Sequence, residues 1–148
     1  MPELELIAGL IVSHGHLAHE LLKAAETIED NQRTLDGIEA VSLEWSDTVE
    51  QSREKIQQAL GRFADYQGVI IFTDMFGGTP SNISLSFFEK DRVEIVTGVN
   101  LPMILKFASL QGHSGDLISV AHMIREKGSK SIRVASDLLA TESVEPGA

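Results

Sequence analysis

The chain has no cysteine, which removes disulfides, thiolate nucleophiles, iron–sulfur clusters and Cys-ligated zinc from consideration. It is also short of positive charge. Twelve Lys and Arg stand against 22 Asp and Glu, for a formal net charge of −10. Binding to a phosphate backbone needs clustered cations, so no nucleic-acid partner is expected. Aromatic residues make up only 5%, with a single Trp and a single Tyr. These two, Trp45 and Tyr66, flank the second expected helix and read as packing residues. Long apolar runs are missing as well, and nothing approaches the ~20 residues needed to span a bilayer. The run from Leu6 to Val12 is broken by Gly9, has no basic segment before it, and is followed at once by His14-Gly15-His16. It reads as a strand and not as a secretion signal, so a soluble cytoplasmic protein is expected. Without such a signal, the glycosylation-like triplet Asn82-Ile83-Ser84 reads as chance.

What is present suits one globular domain: 148 residues, 43% of them hydrophobic, enough for a real core. An apolar strand (Leu6–Val12) precedes an amphipathic stretch from about His16 to Ile28, with Leu17, Leu21, Leu22, Ala24, Ala25 and Ile28 at helical spacing. A polar link, Glu29 to Gly37, leads to the alternating strand Ile38–Leu43. Ser46 or Asp47 is placed to cap a second helix reaching about Ala64, with Val49, Ile56, Ala59, Leu60 and Phe63 inward. Gly68–Thr73 is almost wholly apolar, as a strand buried on both faces is. Thr79 as N-cap and Pro80 after it start a helix to about Phe88. Arg92–Thr97 is a fourth strand, Gly98–Pro102 a turn, and a helix follows to about Leu110. Gly112–Gly115 breaks the pattern, Leu117–Lys127 is helical and ends at Gly128, and Ser131–Ala135 is a candidate fifth strand. With no repeat or linker, residues 1–140 form one domain and 141–148 a polar, loose tail. The expected fold is α/β: a doubly wound, mainly parallel sheet of four strands plus a short C-terminal fifth, with helices on both faces. Acidic residues crowd the first 60 positions, 12 against 4 basic, and read as a solvated face.

In doubly wound sheets ligands bind beyond the carboxyl ends of the strands, where strand order reverses. Ser13-His14-Gly15-His16 follows the first strand, and Asp74 followed by Gly77-Gly78-Thr79-Pro80 follows the third. If those strands are neighbours, His14 and Asp74 meet. A carboxylate on one ring nitrogen fixes the tautomer and leaves the other nitrogen nucleophilic. Gly15 leaves room at the ring. Helix N-termini, the backbone of Gly77 and Gly78, and the hydroxyl of Thr79 all favour an anion such as phosphate. The scheme requires no metal and no other cofactor. The glycine turn is not a Walker A loop, since no Gly-Lys-Ser/Thr is present. His16 and His19 invite a metal reading, but the expectation is solvent-facing residues without a further ligand cluster. His113 and His122 read as structural.

Three segments together carry a resemblance: Ile11-Val12-Ser13-His14-Gly15, then Phe72-Thr73-Asp74-Met75-Phe76-Gly77-Gly78-Thr79-Pro80, then Thr97-Gly98-Val99-Asn100-Leu101-Pro102-Met103. They resemble the IIA domain of the mannose-class bacterial sugar phosphotransferase system, from about Leu4 to about Ala135. The resemblance implies a phosphotransferase that accepts a phosphoryl group on His14 from the phosphocarrier HPr, which is itself charged from phosphoenolpyruvate through Enzyme I. It implies that Asp74 orients His14, and that Ser13, Gly15, Gly77, Gly78 and Thr79 surround the phosphate. Onward transfer goes to a histidine of a IIB subunit, and from there to a sugar entering through a membrane IIC/IID complex. It also implies a homodimer whose last strand crosses to the partner. Many relatives carry Thr before the histidine and Ser in the glycine turn. Ser13 and Thr79 keep a hydroxyl at both positions. Because the chain stops soon after the candidate fifth strand, IIB is expected on a separate chain. Two alternatives stay open: a regulatory phosphoprotein of the same system, and the related phosphotransferase subunit of a dihydroxyacetone kinase system. A phosphatase with a histidine nucleophile is disfavoured, since no Arg precedes His14 to hold phosphate.

Overall fold

The computed structural model describes residues 6–29, 36–111 and 115–144. Strands and helices alternate as β1 (Ile7–His14), α1 (Leu17–Glu29), β2 (Ile38–Leu43), α2 (Val49–Arg62), β3 (Gly68–Thr73), α3 (Thr79–Leu85) and β4 (Val93–Thr97), followed by α4 (Leu101–Leu110), α5 (Leu117–Lys130) and α6 (Ala135–Val144). The four strands form one sheet in the order β2-β1-β3-β4, parallel throughout. Strand order therefore reverses between β1 and β3, which is where a doubly wound sheet opens a crevice.

Burial follows from the alternation of side chains across the pleat. On one face Ile7, Ile11, Ile70 and Phe72 meet α1, α4 and α5 through Ala18, Ala25, Ile104, Phe107 and Ile124. On the other, Leu10, Val12, Val69 and Ile71 meet α2 and α3 through Ile56, Ala59, Phe63 and Ile83. Gly9, the break in the first apolar run, is where α4 seats. A β carbon there would lie 2.6 Å from the Phe107 ring, which packs edge-on against Phe72.

Several sequence expectations are corrected. The second helix is capped by Thr48, which forms a reciprocal capping box with Gln51. Asp47 instead closes the preceding turn. Val49 is exposed, as are Leu17 and Ile28, because these positions sit at helix ends beyond the sheet's cover. At α3, Gly78 is the N-cap and Thr79 the first helical residue. That helix stops at Leu85, where Ser86 closes it. Gly128 does not end α5. It is buried against Met103, and the helix continues to Lys130, where Ser131 caps it.

The expected fifth strand is not formed. Residues 131–134 pair with nothing in the sheet, and Ile132 and Val134 lie exposed at 76% and 62%. β-Branched residues favour a strand only where a sheet edge is within reach, and this segment reaches none in its own chain. α6 then runs across position 141, the expected start of a loose tail. His113 and most of the polar link, at residues 30–35, lie outside the described residues.

Candidate functional site

β1 and β3 are hydrogen-bonded neighbours with Val12 opposite Thr73, so the residues just past each strand's end meet. Asp74 is the centre of that meeting. Its Oδ2 accepts from the His14 backbone N–H at 2.9 Å and pairs with His14 Nδ1 at 2.7 Å. Its Oδ1 accepts from the Met75 backbone N–H at 2.9 Å. A carboxylate only accepts hydrogen bonds, so Nδ1 carries the ring proton and the lone pair lies on Nε2. Nε2 has no hydrogen-bond partner among the described residues, and the His14 side chain is 27% exposed against 11% for Asp74. The result is a fixed, half-open imidazole with one nucleophilic nitrogen.

The glycine turn closes against this ring. A β carbon on Gly78 would stand 3.0 Å from His14 Cε1 and 3.6 Å from Nε2, so only glycine lets the backbone lie this near the imidazole without pressing on it. Gly77 has φ +87°, and Asn82 braces the turn with its side-chain amide on the Gly77 carbonyl at 3.4 Å. Asn82, read from sequence as part of a chance triplet, therefore supports the site. Thr79 is exposed at the same turn. Gly15 makes no close approach: a β carbon there would meet nothing within 4 Å. What calls for glycine at that position is the backbone, whose φ is +54°.

Ser13 sits differently from the sequence expectation. It is fully buried, its hydroxyl accepts from the Ala18 N–H at 2.7 Å, and it donates to the His14 carbonyl at 3.2 Å. It ties α1 to the His14 loop and does not line the crevice. The third motif is likewise structural. The Val99 N–H bonds the Thr73 carbonyl at 2.9 Å, while Asn100 caps α4 and reaches the Gly128 carbonyl at 3.1 Å.

Trp45 is not the packing residue expected from the sequence. It is 85% exposed, and its ring centroid lies 5.3 Å from that of His14 with the planes inclined by 30°. Its exposed position in the turn after β2 was not detectable from periodicity. Tyr66 does pack, edge-on to Phe63 at 5.2 Å. Met75 and Phe76 are exposed beside the site, at 55% and 72%.

A neighbouring cleft of about 440 Å³ is lined by His16, His19, Ser42, Glu44, Lys55 and Arg62. His19 Nδ1 lies 2.7 Å from Ser42 Oγ, and His16 lies 4.0 Å from Glu44. The two cations are engaged: Lys55 with Asp47, Arg62 with Glu39. The Glu39 hydrogen bond raises the already high Arg62 value. The Lys55 ammonium, then the Glu44 N–H, hold the Asp47 carboxyl below its ordinary range. Among the described residues no three metal-ligating side chains converge. His122 is exposed on α5, beside the β4 edge. No described helix is long and apolar enough to cross a membrane.

Comparison with known proteins agrees with this geometry. Residues 9–125 match the family described as PTS system fructose IIA component, EIIA-man. The fructose-specific EIIA component of Bacillus subtilis strain 168 is 30% identical over 135 residues, 90% of each protein. The mannose-specific EIIAB component of Escherichia coli K12 is 34% identical over 101 residues, 68% of this chain but 30% of that longer protein. Among solved structures, the PTS IIA protein associated with the fucose utilization operon of Streptococcus pneumoniae superposes with a TM-score of 0.76 at 27% identity, covering 90% of this chain and 96% of that one. The chain therefore belongs to the mannose-class IIA family of the sugar phosphotransferase system, the phosphoryl carriers of sugar uptake.

Proposed function

We propose that His14 is the phosphorylated residue and that its Nε2 accepts the phosphoryl group from HPr. The observation that carries this is the 2.7 Å pairing of Nδ1 with Asp74, which leaves Nε2 as the free nucleophile beside Gly78. In the transfer, the bond from phosphorus to the donor atom breaks and its electron pair stays with the donor. The Nε2 lone pair forms the new bond. Nδ1 keeps its proton, so the ring becomes cationic and its hydrogen bond to Asp74 becomes charge-assisted. Backbone N–H groups of Gly77 and Gly78 and the Thr79 hydroxyl hold the phosphoryl oxygens. Ser13 and Gly15 act one step back: Ser13 by tying α1 to the His14 loop, Gly15 by the positive φ of that loop. Among the described residues no carboxylate other than Asp74 makes contact with His14, and Asp74 is occupied by three N–H donors. The site thus offers phosphate a seat without a general base for water, which suits a relay more than a hydrolase. The return step delivers the group to a histidine of a IIB acceptor.

We propose further that the chain is a homodimer. β4 is an edge strand, and a groove of about 300 Å³ runs beside it between Glu94–Thr97 and the α5 residues Ile118, His122 and Arg125. The exposed Ile132 and Val134 have no partner surface of their own, and an extended segment from a second copy can pair with that edge.

Incubation with phosphoenolpyruvate, Enzyme I and HPr, read by intact mass, should add one acid-labile phosphoryl group to the chain and none to His14→Ala. A variant lacking His14 that is phosphorylated as fully as the native chain refutes the assignment.

A further inference from the structure

We propose that Trp45 is a positioning residue for His14: its indole covers the imidazole and favours the cationic ring of the phosphorylated state. The inference rests on the phosphohistidine reading above. An indole left 85% exposed gains little from burial, so its place needs another cause. Its ring contact is His14, with centroids 5.3 Å apart and planes 30° from parallel. That is an offset, near-stacked arrangement inside the ~6 Å range over which an aromatic face attracts a cation.

The backbone holds the indole there. Trp45 sits in the turn after β2, which Asp47 and Glu44 close reciprocally: the Asp47 N–H donates to the Glu44 carbonyl at 3.0 Å, and the Glu44 N–H donates to Asp47 Oδ2 at 2.9 Å. Lys55 then ties Asp47 to the Ser42 carbonyl. The Gly15 N–H bonds the Leu43 carbonyl at 3.1 Å, joining the His14 loop to the strand that presents Trp45. The imidazole is thus held at Nδ1 by Asp74, bordered at Cε1 by Gly78 and covered by Trp45.

The electrostatics favour one state of the ring. In the attacking form, with Nε2 unprotonated, it carries no charge. When the Nε2–P bond forms and Nδ1 keeps its proton, the ring becomes positive, and the negative π face of Trp45 attracts it more strongly than before. Trp45 therefore shifts the partition of the phosphoryl group towards this chain. A residue that merely touched the donor protein could change the rate of exchange but not its equilibrium, because the two separated products no longer share that contact. The equilibrium is the discriminating quantity.

The test mixes the chain with a fixed ratio of phospho-HPr to HPr and measures the phosphorylated fraction at equilibrium by intact mass. Trp45→Ala should lower the equilibrium constant for uptake about two- to fivefold, and Trp45→Phe should fall between it and the native chain. Both should keep the native far-ultraviolet circular dichroism, since the side chain is exposed. Trp45 is the sole tryptophan, so its emission should change on phosphorylation of the native chain and stay constant in His14→Ala. An unchanged equilibrium constant in Trp45→Ala overturns the inference while leaving the relay intact, as does an emission indifferent to phosphorylation. A native chain that takes up no phosphoryl group overturns both.

Discussion

At the scale of single residues, the site is an imidazole fixed on three sides and open on one. Asp74 decides which nitrogen is basic, so its loss should cost rate without destroying the acceptor. We expect Asp74→Ala to slow phosphoryl uptake about 10–100-fold, by analogy with the loss of a carboxylate that orients a metal-ligating imidazole, with one phosphoryl group still reached at long times. Quenched-flow transfer from phospho-HPr checks this, and a native rate would refute the orienting role. Gly78 makes a sharper steric test. A methyl there meets His14 Cε1 at 3.0 Å and Met75 Cγ at 3.2 Å, so the ring or the turn must move. Gly78→Ala should slow transfer more than it lowers the melting temperature, because the contact is with the reactive side chain and not with the core.

At the scale of elements, packing and turn chemistry give separate predictions. α4 approaches β1 closely because Gly9 has no side chain beneath Phe107. Gly9→Ala should cost about 1–3 kcal/mol of stability by overpacking, and Phe107→Leu in the same chain should recover part of it in urea unfolding. The turn at Glu44–Asp47 depends on an ionised Asp47, whose carboxyl lies below its ordinary 3.8, chiefly through Lys55 and then the Glu44 N–H. A folded-state value below the unfolded one means that the stabilisation is complete above pH 3.8 and is lost as pH falls through the lower folded value. Trp45 emission should therefore shift in that acid window in the native chain, and Asp47→Asn should abolish the step.

At the scale of the whole molecule, the proposed dimer rests on an unpaired sheet edge. β4 ends the sheet, and the apolar residues Ile132, Val134, Leu138 and Leu139 point to solvent in the isolated chain. Sedimentation should show a dimer for the native protein, and Ile132→Asp combined with Val134→Asp should shift it to monomer. Phosphoryl acceptance should survive that change, since His14, Asp74 and the glycine turn all belong to one chain. A native monomer would remove the dimer proposal and leave the site as described.

The sequence alone determined most of this protein's local order. Alternating strand and helix patterns set an α/β fold because period 2 and period 3.6 are written in neighbouring side chains, and the residues past strands one and three, His14 and Asp74, are the ones the fold brings together. Boundaries were less legible. Thr48 outcompeted Asp47 as a cap because Gln51 could answer it, and α5 ran through Gly128 because Met103 packs against that position. The fifth strand failed for a non-local reason: β-branched residues cannot form a strand without an edge to pair with. Only tertiary structure placed Trp45 over His14, buried the Ser13 hydroxyl beneath α1, and set Gly78 rather than Gly15 against the ring. These are distances between separate elements, fixed by the pairing of β1 with β2 and β3 and by the closure of turns, and no pattern along a single segment carries them.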